Sequence, residues 1–454
     1  MMMDIRFSPH NTHLDSAQTF AQTDPHLRRL YAATYVYHSP IIDEISIHHP
    51  GIIILGGGRQ IGKTTLLKQW MEKLLQQGIA PQTICFFSGE LIPEYRLLYD
   101  LIQRQLQEMP AHGIKYFILD EVTYIDQWDK AIKYLAESGA LENVVLVLSG
   151  SDLILMQEAR KRFPGRRGQA DNVDFHYYPL SFREVLTLKK KLPHEEQLNS
   201  PLDQNLLTDL FIELDHYLMH GGFLTAINEF ASKNIISKAT LVTYSDWIRG
   251  DIAKYGKKEL FLKEIVQAII KNYATQISWN KLEKDLSINS VQTVIDYIEL
   301  LSSMDALFVQ CAIIEDKLKP APKKEKKHMF CDPFIYHALR AWVTADPEPF
   351  NNQIQPLAQD NELYSHLIES CVVTHFRRFF PTYYIKAAGE VDIAYVHKNK
   401  FWPVEVKWTK QLRSSDLNQI KKYKNSVIYA KTNKYSSMYE IPVIPLPIAL
   451  LNIF

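Results

Sequence analysis

Apolar and polar positions change their period along the chain, and the change predicts its elements. Between 51 and about 188, short apolar runs at 52–55, 116–119 and 144–148 alternate with helix-like stretches such as TLLKQWMEKLL. That alternation predicts an α/β domain over 51–190 built on buried parallel strands. Residues 1–50 read as an irregular arm with a lead-in helix, and the polar, proline-bearing KKKLPHEEQLNSPLDQN marks a boundary after the α/β segment. A helical, lid-like region follows over 191–261. From Glu264 the period is that of a helix-turn-helix: EIVQAIIKNYA, SWNKLEKDL, a short SIN turn, then SVQTVIDYIELL with Val291, Val294, Ile295, Ile298 and Leu301 on its inner side. Ser278 and Ser290 suit its helix caps, and MDALFVQ would open the wing of a winged-helix domain over 262–345. The last domain, 355–454, starts with an amphipathic helix over 361–380 and continues with two strands, EVDIAYV and FWPVEVKW.

The first strand runs into Gly57, Gly58, Arg59, Gln60, Ile61, Gly62, Lys63 and Thr64, a full G-x-x-x-x-G-K-[ST] match, with Thr65 next. Glycines let the backbone aim several N–H groups at phosphate oxygens, and the following helix adds its own free N–H groups. In such a cradle Lys63 reaches the β- and γ-phosphates of ATP and the Thr64 hydroxyl is a Mg²⁺ ligand. The competing reading is a glycine-rich turn in an ordinary βαβ unit. YFILDE supplies the partner strand: Asp120 to hold Mg²⁺, and Glu121 to orient or deprotonate the attacking water. The third strand ends in SGSD, so Ser149, Ser151 or both lie beside the phosphates, as γ-phosphate readers or as caps of the next helix. In KRFPGRRG beyond it, Arg162, Arg166 and Arg167 offer a transition-state arginine, set against a plain solvated basic loop.

Charge narrows the partners. Lys plus Arg and Asp plus Glu are 51 each, so the molecule has no overall basic field, and any nucleic-acid surface must be local. The outward residues of the third helix, among them Asp296 and Glu299, weigh against phosphate contact, and the run Lys323, Lys324, Lys326, Lys327 reads as a solvated linker. Four scattered cysteines lack metal-ligand spacing, which fits a reduced compartment without zinc. The N-terminal stretch has no signal pattern, and IPVIPLPIALLNIF is short and broken by prolines. A cytoplasmic protein without a membrane partner is expected.

The two C-terminal strands carry a second chemistry. A tight hairpin over 397–400 sets Val396 against Phe401 and, in the same register, Asp392 against Glu405, roughly 5 Å apart at Cβ, an unfavourable pairing unless compensated. Lys407 shares their face. Two acids and a lysine so placed form either a Mg²⁺ or Mn²⁺ phosphodiester site, with Lys407 stabilising developing charge, or a salt-bridged sheet face. Glu369 on the preceding helix is a further ligand or second base. A slip of one residue would part the two acids.

Taken together, GGRQIGKTT, FILDE, LSGSD, PGR at 164–166, YPLSFREVL, WIRGDI, FCDPFIYHAL, LIES, GEVDIAYV and VEVK resemble prokaryotic AAA-type ATPases that join a P-loop domain to a C-terminal domain of unknown function with a restriction-endonuclease-like core. The resemblance covers nearly everything from about residue 35. It implies an AAA-type parallel sheet followed by helical and winged-helix domains and a nuclease-like α/β domain. It further implies nucleotide and Mg²⁺ at Lys63 and Thr64, a Walker B pair at Asp120 and Glu121, Arg166 as a finger, and Glu369, Asp392, Glu405 and Lys407 in the PD-(D/E)xK pattern. GEVD stands where that pattern's name has a proline, and the acids are retained. Two functions follow: an ATP-driven enzyme that acts on and cuts DNA, or a nucleotide switch or scaffold that binds DNA or a protein partner without cutting. A homo-oligomer fits both.

Overall fold

A computed structural model describes residues 4–163, 172–199, 201–409 and 411–453. The chain divides into two compact units, Met1–Tyr178 and Pro179–Phe454.

The first unit begins with an arm whose helix α1 (Pro25–Tyr31) is capped by Asp24, which accepts the His26 and Leu27 N–H groups. Its sheet holds β1 (Gly51–Gly56), β2 (Ile84–Ser88), β3 (Lys115–Asp120), β4 (Val144–Gly150) and β5 (Asp174–His176), in the order β2-β3-β4-β1-β5 and parallel throughout. Every residue of β1, β3 and β4 is buried. Helices cover both faces of such a sheet, so its strands read as continuous apolar runs. The helices are α2 (Lys63–Gln76), α3 (Tyr95–Glu108), α4 (Trp128–Glu137) and α5 (Leu153–Arg162). The arm is tied down by buried polar bonds: Asp24 pairs with the fully buried Lys68 of α2 at 3.2 Å, and the Asn11 amide exchanges two 2.8 Å bonds with the Phe86 backbone.

The second unit opens with α6 (Phe182–Leu188), held by a capping box between Ser181 and Glu184. Then come α7 (Gln204–His220), α8 (Leu224–Lys233), α9 (Lys238–Lys254), α10 (Glu259–Lys271), α11 (Trp279–Lys284) and α12 (Val291–Ser303). Ser278 accepts the Lys281 N–H and Ser290 the Thr293 N–H, so both serines cap the helices they precede. Helix α12 buries Val294, Tyr297, Ile298 and Leu301, with Val291 and Ile295 half-buried. Asp296 is paired with Lys257 at 3.2 Å. An antiparallel pair follows, β6 (Leu307–Cys311) with β7 (Lys326–Phe330), then α13 (Pro333–Thr344) and α14 (Asn361–Arg377).

The second sheet is mixed. It contains β8 (Thr382–Lys386), β9 (Glu390–His397), β10 (Lys400–Lys407), β11 (Val427–Ala430), β12 (Ser436–Met438) and β13 (Ile441–Pro445), in the order β8-β9-β10-β11-β13-β12, before a final helix α15 (Leu446–Leu451). Strands β8, β9 and β10 are antiparallel, and β10, β11 and β13 run parallel. Lys398 and Asn399 both have positive φ, +50° and +58°, and close a two-residue hairpin turn that pairs His397 with Lys400 and Val396 with Phe401. The β6–β7 pair is anchored to this sheet by Gln310, whose amide donates to the carbonyls of Tyr383 (3.1 Å) and Asp392 (3.0 Å).

Candidate functional site

In the first unit, the turn from β1 into α2 needs glycine at two points. Gly62 has φ +102°, a left-handed conformation that a side chain would strain. A Cβ on Gly57 would lie 2.4 Å from the Tyr177 carbonyl oxygen and 2.8 Å from Ile61 Cδ1. Gln60 is left-handed as well and exposed, Arg59 places its guanidinium over the Tyr124 ring at 5.1 Å, and Thr65 is half-buried in the first turn of α2. The loop therefore carries no side chain at Gly57, Gly58 and Gly62, the last of these immediately before α2.

The strand order puts β4 between β1 and β3. The carboxyl ends of all three meet, and their polar side chains form one network. Lys63, 4% exposed, donates to the carbonyls of Gly57 (2.9 Å) and Gly58 (2.8 Å) and lies 3.4 Å from a Glu121 carboxylate oxygen. The Thr64 hydroxyl donates to Asp120 at 2.6 Å. The serines divide between the acids: the Ser149 hydroxyl donates to Asp120 and accepts the Glu121 N–H, while the Ser151 hydroxyl donates to Glu121 at 3.0 Å. Their surroundings set the two acids apart. Burial, with the Glu121 charge next in weight, raises the Asp120 pKa. Burial acts the same way on Glu121, but the Lys63 charge, the Ser151 hydroxyl and Arg59 outweigh it and hold that carboxyl below its ordinary range. A hydroxyl beside a carboxylate is a hard-oxygen donor set of the kind Mg²⁺ takes. With a bare glycine turn and a helix N-terminus adjoining, these residues fit a nucleotide phosphate and its metal ion. Arg166 lies outside the described residues.

The second unit brings Glu369 of α14, Glu390 and Asp392 of β9, and Glu405 and Lys407 of β10 into one cluster, in which Glu369, Asp392 and Glu405 are buried and Glu390 and Lys407 half-buried. The β9–β10 ladder ends at Ile393–Val404, one residue short of Asp392 and Glu405, and there the Asp392 carboxylate accepts the Val406 N–H at 2.8 Å. Lys407 lies 2.5 Å from Glu405 and 4.0 Å from Asp392. The carboxylates of Glu369, Glu390 and Asp392 offer oxygens within 4.8 Å of one another, a spacing that one cation could bridge. Sequence reasoning missed Glu390, although its position two residues before Asp392 puts it on the same face of β9.

Lys327 was also missed. Instead of lying in a solvated linker, Lys326 and Lys327 belong to the wholly buried β7. Lys327, 1% exposed, donates to Glu369 at 2.6 Å and pairs with Glu390, which also accepts from the Gln276 amide. Burial opposes the charge on Lys327, but Glu369, Asp392 and Glu390 outweigh it and hold the ammonium well above the usual lysine range. Burial pushes Glu369 up to about 8 despite Lys327, and burial with the Asp392 charge pushes Glu405 up to about 8. Glu405 Oε2 is buried with no hydrogen-bond partner among the described residues.

Residues 49–186 match the family described as AAA domain. Residues 212–346 and 364–449 match two families each described as a domain of unknown function, DUF8612 and DUF4143. An uncharacterized protein of Haemophilus influenzae is 29% identical over 265 residues, 56% of this chain and 60% of that protein. One of Methanocaldococcus jannaschii is 26% identical over 275 residues, 59% of this chain and 58% of that protein. The chain thus spans about three fifths of the length of these relatives. Among solved structures, a Walker-type ATPase of Pyrococcus abyssi has a TM-score of 0.41 at 14% identity, covering 66% of this chain and 93% of that one. The Aeropyrum pernix ORC1 protein in complex with DNA has a TM-score of 0.33 at 13% identity, covering 77% and 94%. Among the described residues no helix is long and apolar enough to cross a membrane. The phosphate-loop motif, the parallel sheet that carries it and the family match make residues 49–186 an AAA-type P-loop domain.

Proposed function

We propose that this protein binds and hydrolyses ATP with Mg²⁺ in the first unit, and that a winged-helix region over 262–345 and a nuclease-like domain over 355–454 couple turnover to DNA. The observation that carries the ATPase reading is the single network joining Lys63, Thr64, Asp120, Glu121, Ser149 and Ser151. Thr64 and Asp120 would hold Mg²⁺, which would supply charge neutralisation at the nucleotide phosphates. Phosphate oxygens outcompete backbone carbonyls for the Lys63 ammonium, because a charged acceptor makes the stronger bond. As Lys63 turns to the phosphates it would leave Glu121, freeing a carboxylate oxygen to orient water. Ser149 holds Asp120, and Arg166 supplies transition-state charge, in cis or from a second copy.

ATP turnover and nucleotide affinity test this reading together. Glu121→Gln should keep ATP bound and stop its hydrolysis. Arg166→Ala should lower kcat with little change in Kd, since it acts on the transition state. Loss of nucleotide binding in Glu121→Gln would make its role structural, and normal turnover in Arg166→Ala would remove it from the site.

For the second unit we propose a Mg²⁺ or Mn²⁺ site on Glu369, Asp392 and Glu405, with Lys407 beside the scissile phosphate. The unpartnered Glu405 Oε2 supports it, because a buried carboxylate oxygen without a donor is costly unless a cation meets it. Asp392→Asn should abolish metal-dependent cleavage of linear or branched DNA. The second reading, a nucleotide-dependent switch or scaffold on DNA or a protein partner with a non-catalytic nuclease fold, is favoured by Lys327, which already neutralises part of the cluster. Intact DNA under every divalent ion, with ATP turnover present, would decide for the switch.

A further inference from the structure

Lys327 reaches the acid cluster from outside the two strands and the helix that carry its acids. It sits on β7, in the segment that follows the three helices α10, α11 and α12. Its ammonium donates to Glu369 and pairs with Glu390, two of the three carboxylates whose oxygens approach within 4.8 Å. A lysine ammonium is a compact monovalent charge that binds carboxylate oxygens at hydrogen-bond distance, so it competes for the lone pairs a metal ion would use. It does not complete the cluster. Among the described residues the cations paired with Glu369, Glu390, Asp392 and Glu405 are Lys327 and Lys407, and Glu405 keeps one buried oxygen without a donor. The neighbouring His366 adds no charge, since burial and then Lys327 lower its pKa.

The hold on Lys327 is specific. Its side chain is 2% exposed, it passes 5.5 Å from the centre of the Tyr384 ring, and the Tyr384 hydroxyl is bonded to the Glu325 carbonyl two residues before it. Two more side chains fasten to β9: Gln310 of β6 to the Asp392 carbonyl, and Gln276, between α10 and α11, to the Glu390 carboxylate. The position of the β6–β7 pair is therefore read out directly at the carboxylates.

From this geometry we infer that Lys327 is a built-in lock on the cluster: its ammonium and a divalent cation compete for Glu369 and Glu390, and a full divalent site forms when β7 withdraws it. The inference rests on the cation-site reading proposed above. It also names Glu390 as a ligand of the unlocked site. Any event that shifts the β6–β7 pair, such as a partner docking on the helices before it, would then set metal affinity.

The test is Mn²⁺ binding by calorimetry to the full chain without nucleotide. The relevant site is identified as the one that Asp392→Asn removes. Lys327→Met should bind Mn²⁺ at that site at least tenfold more tightly than the native chain, and Lys327→Arg, which keeps the charge, should stay near native. If Lys327→Met leaves the affinity unchanged or weaker at a site the native chain does have, the lock falls and the cation site stands. If neither folded protein has a Mn²⁺ site that depends on Asp392, both fall. A second measurement needs no variant. Lys327 in the native chain should resist an amine-acylating reagent, and saturating Mn²⁺ should raise its modification several-fold by mass spectrometry. Resistance unchanged at saturation overturns the lock.

Discussion

Both units set buried carboxylates against lysine, and the two centres solve the same electrostatic problem differently. In the ATPase domain Lys63, Asp120 and Glu121 stand at the ends of neighbouring strands, and each acid has a serine of its own, Ser149 or Ser151, in addition to Thr64 or Lys63. Hydroxyls donate without adding charge, so the acids are satisfied and free to exchange partners. In the second unit the donors are lysines, the Gln276 amide and backbone, no hydroxyl bonds to the four carboxylates among the described residues, and Glu405 retains an unpartnered oxygen. Unmatched buried charge is relieved by protonation or by a cation. The first centre thus satisfies its acids with neutral donors, and the second leaves buried carboxylate unmatched.

The largest effect expected is in the first centre. Lys63→Ala should lower ATP turnover by about a hundredfold or more, since it removes the charge aimed at the phosphates. Turnover near that of the native chain would break the comparison, leaving the first centre a structural ion pair.

The pH dependence of the second centre sharpens it. Glu369 and Glu405 have folded-state pKa values of about 8 against an ordinary 4.5, so the folded protein holds those protons more tightly than the unfolded chain. Their contribution to stability is therefore fully present at acid pH and is lost as pH rises through about 8, while Lys327 and Lys407 stay charged across this range. Hydrogen exchange of α14, β9 and β10, taken relative to the base-catalysed rate of an unprotected amide, should lose protection from pH 6 to pH 9, and Mn²⁺ should suppress the loss. Protection that does not change with pH would mean the four carboxylates are already matched.

A smaller effect separates the serines. Ser149→Ala leaves buried Asp120 one donor short, a cost on the order of 1–3 kcal/mol in the unliganded domain. Because Asp120 would be the metal-holding acid, the variant should need more Mg²⁺ for half-maximal turnover. Ser151→Ala should instead lower kcat at saturating Mg²⁺, because it frees the acid that orients water. Identical Mg²⁺ profiles for the two would erase the division of labour between them.

The nucleotide centre was legible because its chemistry is local. The glycines that the turn requires, the lysine and threonine that begin α2, and the apolar run before Asp120 each occupy a contiguous stretch, and parallel strands bring their ends together by the ordinary rules of an open sheet. The hairpin register was legible for the same reason. With His397 and Lys400 closing a two-residue turn, the period of a strand alone places Asp392, Glu405 and Lys407 on one face. No local signal could say which acid each serine would serve, since β4 lies between the strands that carry the lysine and the acids and its end faces both.

Lys327 shows the limit most plainly. In the sequence it closes a run of four lysines among polar neighbours, and local rules read such a run as solvated. Only the tertiary structure places its strand beside β6, anchors β6 to β8 and β9 through Gln310, and sets the ammonium between Glu369 and Glu390. The sequence by itself determined the phosphate loop, the acids and the register of the hairpin, because turn chemistry and strand period act over a few residues. Which cation meets those acids depends on a contact between residues 42 positions apart, and that was decided by packing alone.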